Sequence, residues 1–290
     1  MSILKYIFIS MRPNHWVKNV FIFAGLIFSG NLLQTDLLIR AWIGFFLFSF
    51  MSSSIYLFND IVDLENDKRH AKKSKRPIAA GRLNVSYGYS ASVILATIAV
   101  LGSFFLDRGF LMMVVLYGVL NLAYTLKMKQ IVILDIMLIA LGFVLRIVAG
   151  TSLIGVRPSD WLIICTMTVS LFLGFSKRRQ ELVFSDSNAN NQRKVLLNYS
   201  ISFIDQMIAV VTACTVMSYG LYTVSSETIA RFGTRNLVFT FPFVLYGIFR
   251  YLYLIYHKST GENPTDTVVR DFPFILNGVL WLGAVILIIY

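Results

Sequence analysis

Residues Leu38 to Arg69 read LIRAWIGFFLFSFMSSSIYLFNDIVDLENDKR, an apolar run that ends in three aspartates. Leu38–Phe58 is long enough to cross the hydrocarbon core of a bilayer, about 30 Å, as a helix. Asn59 follows, and then Asp60, Asp63 and Asp67 at i, i+3 and i+7. At about 100° per residue they fall within an arc of about 60° on one helical face. One or two acids there would read as a solvated helix end, but three carboxylates on one face repel unless a cation lies between them. Glu65 points to the opposite face. The chain continues into Lys68, Arg69, His70, Lys72, Lys73, Lys75, Arg76 and Pro77. A cation-binding face followed by a basic strip suits a diphosphate held through a hard ion such as Mg²⁺. The ion also makes that diphosphate a better leaving group.

Charged residues make up 14% of the 290 and hydrophobic residues 57%, whereas soluble domains carry about 25% charge. Apolar runs recur along the whole length, so the expected fold is an all-α integral membrane bundle forming one polytopic domain, 1–290. Nine transmembrane helices are expected, at Val17–Gly30, Leu38–Phe58, Tyr87–Leu106, Phe110–Leu126, Ile131–Leu153, Trp161–Phe175, Phe203–Val224, Leu237–Tyr256 and Phe272–Tyr290. Lys5, Arg12, His15 and Lys18 interrupt any cleavable signal pattern near the start. Cys165 and Cys214 lie in apolar runs and read as small packed residues.

With nine spans, the N-terminus shares a side with the connections after spans two, four, six and eight. That side carries 19 of the 26 Lys and Arg residues, and the other side carries five. The positive-inside bias makes the rich side, with the aspartates and the N-terminus, cytoplasmic. The expected location is the inner (plasma) membrane, with active-site loops at about 59–85 and 177–199 facing the cytoplasm. The net charge of +11 is then a topology signal and calls for no nucleic acid. Lipid-facing and partner-facing apolar surfaces read alike, so a homo-oligomer stays open.

Other residues carry weaker signals. Lys75 and Arg76 precede a Pro and small residues that permit close approach, which suits substrate phosphate. Lys68, Lys72 and Lys73 read as well as topology charges or lipid contacts. Arg12 and Lys18 flank Trp16, an interfacial anchor, in Arg12-Pro-Asn-His-Trp-Val-Lys-Asn19. Asp135 and Arg146 interrupt the fifth apolar run. Ionisable groups inside a span are costly and so are functional candidates, with a structural ion pair as the competing reading for Asp135. Tyr124, Lys127 and Lys129 cluster at the turn before it. Lys177-Arg178-Arg179-Gln180-Glu181 opens a polar stretch, Ser185 to Asn198, of a length more common in functional loops. Walker loops, Cys/His metal clusters and a Ser-His-Asp order are absent from the sequence.

Asn59-Asp60-x-x-Asp63-x-x-x-Asp67 after the second span resembles the UbiA superfamily of intramembrane prenyltransferases. The resemblance extends over nearly the whole chain. Arg12-Pro-x-x-Trp-x-Lys-Asn19, Tyr56-Leu-x-Asn-Asp60, Lys75-Arg-Pro-Ile-Ala-Ala-Gly81, Gly142-Phe-Val-Leu-Arg146 with Ala149-Gly150, Lys177-Arg-x-x-Glu181 and Gly261-Glu-x-Pro264 with Asp271 are similar to its decaprenyl-phosphate phosphoribosyltransferase branch. Where quinone-type members place a second Asp-rich motif after span six, this chain has the basic Lys177 run. That suits an incoming lipid monophosphate.

The resemblance implies transfer of 5-phosphoribose from phosphoribosyl pyrophosphate to a polyprenyl phosphate lipid, with release of diphosphate. It implies Asp60, Asp63 and Asp67 as catalytic Mg²⁺ ligands. Substrate-binding roles fall to Arg12, Lys18, Asn59, Lys75, Arg76, Lys127, Lys129, Asp135, Arg146, Lys177, Arg178 and Glu181. The alternative within the superfamily is transfer of a prenyl chain from its diphosphate to an aromatic acceptor.

Overall fold

The computed structural model describes residues 3–70, 72–185, 194–258 and 270–290. Among these there is no β-strand. The α-helices are α1 (Ile3–Ser10), α2 (Ala24–Ile27), α3 (Thr35–Val62), α4 (Leu64–Arg69), α5 (Val85–Leu106), α6 (Arg108–Leu126), α7 (Leu134–Leu153), α8 (Asp160–Ser185), α9 (Ile201–Val224), α10 (Ser226–Phe232), α11 (Phe241–Tyr253) and α12 (Phe272–Ile289). Eight described helical stretches are long and apolar enough to cross a membrane, and the chain is a multi-pass membrane protein. The helices form two compact units. One comprises residues 1–131 and 141–158. The other comprises 132–140 and 159–290. α7 contributes to both.

The expected first span, Val17–Gly30, is not one continuous α-helix. Pro13–Phe23 is a 3₁₀ helix of 11 residues, and α2 follows it directly. A 3₁₀ helix rises about 2.0 Å per residue, so this strap advances roughly 22 Å between Arg12 and Phe23. It runs antiparallel to α3. Arg12 reaches Asp60, Trp16 Nε1 donates to Ser53 Oγ at 3.0 Å, Asn19 Nδ2 donates to Ser49 Oγ at 2.9 Å, and the Phe23 ring lies 4.9 Å from that of Trp42. The Phe23 ring also lies 6.0 Å from that of Phe45, and the 15 steps from Phe45 to Asp60 likewise advance roughly 22 Å at the α-helical rise of about 1.5 Å. The stretched strap keeps pace with the α-helix beside it using fewer residues. Val17–Gly30 is accordingly 14 residues long, short of the about 20 that an α-helical span needs.

Ser49, Ser52, Ser53 and Ser54 make a buried polar stripe on α3. Ser54 and Ser92 of α5 are joined through their hydroxyls at 3.1 Å, and Ser92 Oγ also donates to the Ser54 carbonyl at 2.9 Å. Small hydroxyl residues at a helix interface permit close approach and bond across it, which is how helices associate where lipid removes the hydrophobic drive. Phe48, Met51, Phe110, Val114, Tyr117, Leu145 and Leu153 complete this unit's apolar core. Asp107 caps α6, accepting from Phe110 N at 2.7 Å, and takes a second bond from Ser152 Oγ at 2.7 Å. α7 approaches the strap closely at Gly150, where a Cβ would lie 2.0 Å from the Ile22 carbonyl oxygen.

In the second unit, α8 runs ten residues past the expected end of span six at Phe175. Lys, Arg, Gln, Glu and Leu are good helix formers and no Gly or Pro interrupts them. Lys177, Arg178 and Glu181 therefore stand on a helix rather than in an opening loop. Of the expected Ser185–Asn198 loop, residues 186–193 lie outside the described residues. Val195, Leu196 and Tyr199 are buried, and Val195 and Tyr199 pack with Phe172, Phe175, Ile204 and Tyr251. Asp135, fully buried, accepts from Arg178 Nε at 2.8 Å and from Tyr199 OH at 2.8 Å. Burial raises the Tyr199 hydroxyl to about 12, so it remains a protonated donor at any working pH. The tail motif at Gly261–Pro264 also lies outside the described residues. Asp271 survives from it as the α12 cap, held by both Arg250 Nε (3.0 Å) and Nη2 (2.9 Å).

Two stability outcomes follow from these contacts. Gly150→Ala drives a methyl into backbone, and overpacking of that kind costs about 1–3 kcal/mol. The expected readout is a lowered apparent Tm of detergent-solubilised protein. Arg178→Met strands a buried carboxylate and should cost about 3–5 kcal/mol, whereas adding Asp135→Leu should recover most of the loss. If the single variant melts with the parent, Asp135 does not depend on Arg178 for its charge balance.

Candidate functional site

The Asp-bearing face forms where α3 gives way to α4. The helix is interrupted at Asp63 (φ −89°, ψ 7°), yet Asp63 N bonds to the Asn59 carbonyl at 2.9 Å and Asp67 N to the Asp63 carbonyl at 2.8 Å. The i to i−4 ladder thus continues through the joint. Asp60 and Asp67 are both only 2% exposed. Each of the three carboxylates is held by a cation. Arg12 pairs with Asp60, Arg76 Nη1 is shared between Asp60 Oδ1 (3.1 Å) and Asp67 Oδ2 (2.5 Å), and Lys129 Nζ reaches Asp63 Oδ1 at 2.6 Å. Because a single nitrogen serves both, the Asp60 and Asp67 oxygens lie no farther apart than the sum of those two contacts. Glu65 stands apart on the solvent side. Its bond to Lys68 Nζ, at 2.7 Å, and that charge hold its carboxyl below the usual glutamate range.

Three different elements bring these cations in. Arg12 sits at the strap's entrance in the left-handed region (φ 54°), with its guanidinium 5.0 Å from the Tyr56 ring centroid. Arg76 stands in a tight loop. Pro77 O accepts from Arg82 N (2.8 Å) and Leu83 N (3.0 Å), and Gly81 turns at φ 70°, a conformation open to glycine. Ile78 and Leu83 of this loop are buried against Leu57 and Ala91, which anchors it on α3 and α5. The anchor directs Arg76 inward, while its neighbour Lys75 is exposed. Lys129 comes from the 3₁₀ turn Met128–Gln130 after α6, and Lys127 beside it is exposed. Asn59 is half-buried on the last turn of α3. Lys18 is exposed, two 3₁₀ turns further along the strap, or about 12 Å.

Arg146 lies in the core of the same unit, 4% exposed. Its Nε donates to Asn19 Oδ1 (2.8 Å), Nη1 to the Gly142 carbonyl (2.8 Å) and Nη2 to Tyr117 OH (2.9 Å). Asn19 closed a motif in the sequence but had no role assigned to it, and Tyr117 was not singled out. The available signal was an amide and a phenol within apolar runs. The remaining expected residues belong to the second unit. There Arg178 binds both Asp135 and Glu181, and Lys177 Nζ lies 3.9 Å from Glu181 Oε1. Nearby, Asp205 Oδ1 accepts from Arg179 Nε (2.7 Å) and Tyr256 OH (2.8 Å).

The donor chemistry suits a hard cation. Carboxylate oxygens from Asp60 and Asp67 converge on one point, and that point holds a positive nitrogen. Among the described residues no group of three acidic, His or Cys side chains stands ready as a metal cage. This agrees with carboxylates that are each paired with Arg or Lys.

Comparisons with known proteins agree with this architecture. The decaprenyl-phosphate phosphoribosyltransferase of Corynebacterium glutamicum is 29% identical over 286 residues, covering 97% of this chain and 86% of that one. The enzyme of the same name from Mycolicibacterium smegmatis is 28% identical over 292 residues, covering 97% and 91%. Among solved structures, a UbiA homolog from Archaeoglobus fulgidus bound to GPP and Mg²⁺ superposes with a TM-score of 0.72. It is 16% identical and covers 98% of this chain and 99% of that one. The same homolog has also been solved with Cd²⁺ (TM-score 0.68, 15% identity, covering 98% of this chain and 99% of that one). The model of the UbiA prenyltransferase family matches residues 19–266, and with its helical membrane architecture this chain belongs to that family.

Proposed function

We propose that this protein transfers 5-phosphoribose from phosphoribosyl pyrophosphate to a polyprenyl phosphate and releases diphosphate, with Mg²⁺, at the cytoplasmic face of the plasma membrane. The observation that carries the reading is the convergence of Asp60 and Asp67 on one cation position, with Asp63 beside them. The near full-length similarity to phosphoribosyltransferases supports this choice of substrates, and the 19 basic residues on the Asp-bearing side of the expected topology support the cytoplasmic placement.

Asp60, Asp63 and Asp67 would hold the ion, which when bound neutralises charge on the departing diphosphate. Arg12, Arg76 and Lys129 are then free to bond diphosphate oxygens, since charge-assisted Arg and Lys contacts orient phosphates strongly. The anomeric carbon–oxygen bond to diphosphate breaks with its electron pair on the leaving group. A lipid phosphate oxygen forms the new bond to that carbon. The nucleophile is already an anion, so no general base is required, in keeping with three scattered His residues. Lys18, Asn59, Lys75, Lys127, Lys177, Arg178, Glu181, Asp135 and Arg146 remain assigned to binding the two substrates or to holding the residues that do.

Purified protein offered phosphoribosyl pyrophosphate and a prenyl diphosphate as donors, with polyprenyl phosphate and an aromatic acceptor, should yield only phosphoribosylated lipid by mass spectrometry. A prenylated product would reverse the assignment. Changing residues that merely orient metal ligands costs about 10–100-fold, so Asp63→Asn or Asp67→Asn should lower turnover at least that far. Full activity in either would remove the metal role. Arg76→Gln should lose turnover yet gain affinity for Mn²⁺ alone, measured by electron paramagnetic resonance, because the resident positive charge between Asp60 and Asp67 is gone. Unchanged or weaker Mn²⁺ binding would show that the ion is held elsewhere.

A further inference from the structure

Arg146 presents an energetic problem. A guanidinium in a membrane-embedded core is expensive and normally finds an anion. Yet among the described residues its hydrogen-bond partners are an amide oxygen, a backbone carbonyl and a phenol, with the rings of Tyr117, Phe143 and Phe48 at 4.7, 5.1 and 5.4 Å. Apolar packing would serve stability alone at least as well. What Arg146 grips is Asn19, at the middle of the strap and fully buried.

The strap needs an external grip. Runs of 3₁₀ helix longer than three or four residues are uncommon because their hydrogen bonds are poorly aligned. This one has 11 residues, so its register must come from its neighbours. Trp16 and Asn19 bond to α3, Ile22 lies against Gly150, and Arg146 pulls on Asn19 from α7. With three residues per turn, a slip of one residue would rotate every strap side chain by about 120°. Arg12, at the strap's entrance, would then leave Asp60.

We infer that Arg146 is a positioning residue: through Asn19 it sets the register of the 3₁₀ strap and so holds Arg12 on Asp60. The inference concerns the strap's placement. Its link to phosphoribosyl transfer rests on the function proposed above.

The test has two readouts. In a Cys165→Ala, Cys214→Ala background, spin labels at the exposed positions Asn14 and Glu65 report the distance between the strap's entrance and the Asp-bearing helix by pulsed electron resonance in nanodiscs. The parent should give one narrow distribution. Asn19→Leu and Arg146→Lys should broaden or shift it, whereas Tyr117→Phe, which removes another partner of the same guanidinium without touching the strap, should leave it unchanged. An unchanged distribution in Asn19→Leu, or an equal change in Tyr117→Phe, overturns the inference. Asn19→Leu keeps the charge of Arg146 in place, so it reports even if an Arg146 variant does not fold.

In the transferase assay, Arg12→Ala and Asn19→Leu should each raise KM for the diphosphate donor about tenfold, with a smaller effect on kcat. The double variant should be no worse than Arg12→Ala, because residues acting as a unit are non-additive. Multiplying effects overturn the inference. If the parent shows no phosphoribosyl transfer at all, the proposed activity fails while the spin-label distances still decide the positioning role.

Discussion

The carboxylate of Asp60 is the point that organises the first unit. It sits at the end of a long apolar helix, nearly without access to water, and must be charge-balanced there. Arg12 arrives from the strap and Arg76 from the loop before α5, while Arg76 goes on to Asp67. Burial makes these pairings expensive to break, so the strap's entrance, the end of α3 with α4, and the loop before α5 are tied at one place. The tie also keeps carboxylates close together that would repel if left alone.

The same economy of charge explains the second unit. Arg178 lies among apolar side chains at the end of α8, and Asp135 and Glu181 balance it. Tyr199 closes the arrangement by donating to Asp135 and accepting from Ile133 N at 2.6 Å. In both units a basic residue that reads in the sequence as a topology signal is committed to a buried acid. Lys75, Lys127 and Lys18, by contrast, remain exposed. Counts of basic residues along a membrane chain thus mix two populations, and only burial separates them.

Much of the architecture was legible in the residues. Apart from the end of α8, apolar runs of the right length located the helical spans from α3 to α12 within a few residues, because a bilayer imposes length and hydrophobicity directly. The strap escaped this reading. Its Pro13, Lys18 and Asn19 break the apolar pattern, and its 3₁₀ rise covers distance with fewer residues than the α-helical rule assumes. α8 escaped it in the opposite direction. Its charged last turns look like a loop until Arg178 is seen buried against Asp135. The serine stripe on α3 read as part of a greasy segment, since a hydroxyl does not reveal which neighbour it will meet.

By itself the sequence determined that this is a helical membrane protein, that Asp60, Asp63 and Asp67 share one face, and that its motifs resemble the UbiA family. These depend on composition and on a local period of about 3.6 residues. The tertiary structure decided that Arg76 rather than Lys75 faces those carboxylates, that Lys129 answers Asp63, and that Arg146 holds Asn19. Those pairings join residues up to 127 positions apart. They are settled by which helices pack together and by the cost of leaving any buried charge or polar group without a partner, and neither is written into a local stretch of chain.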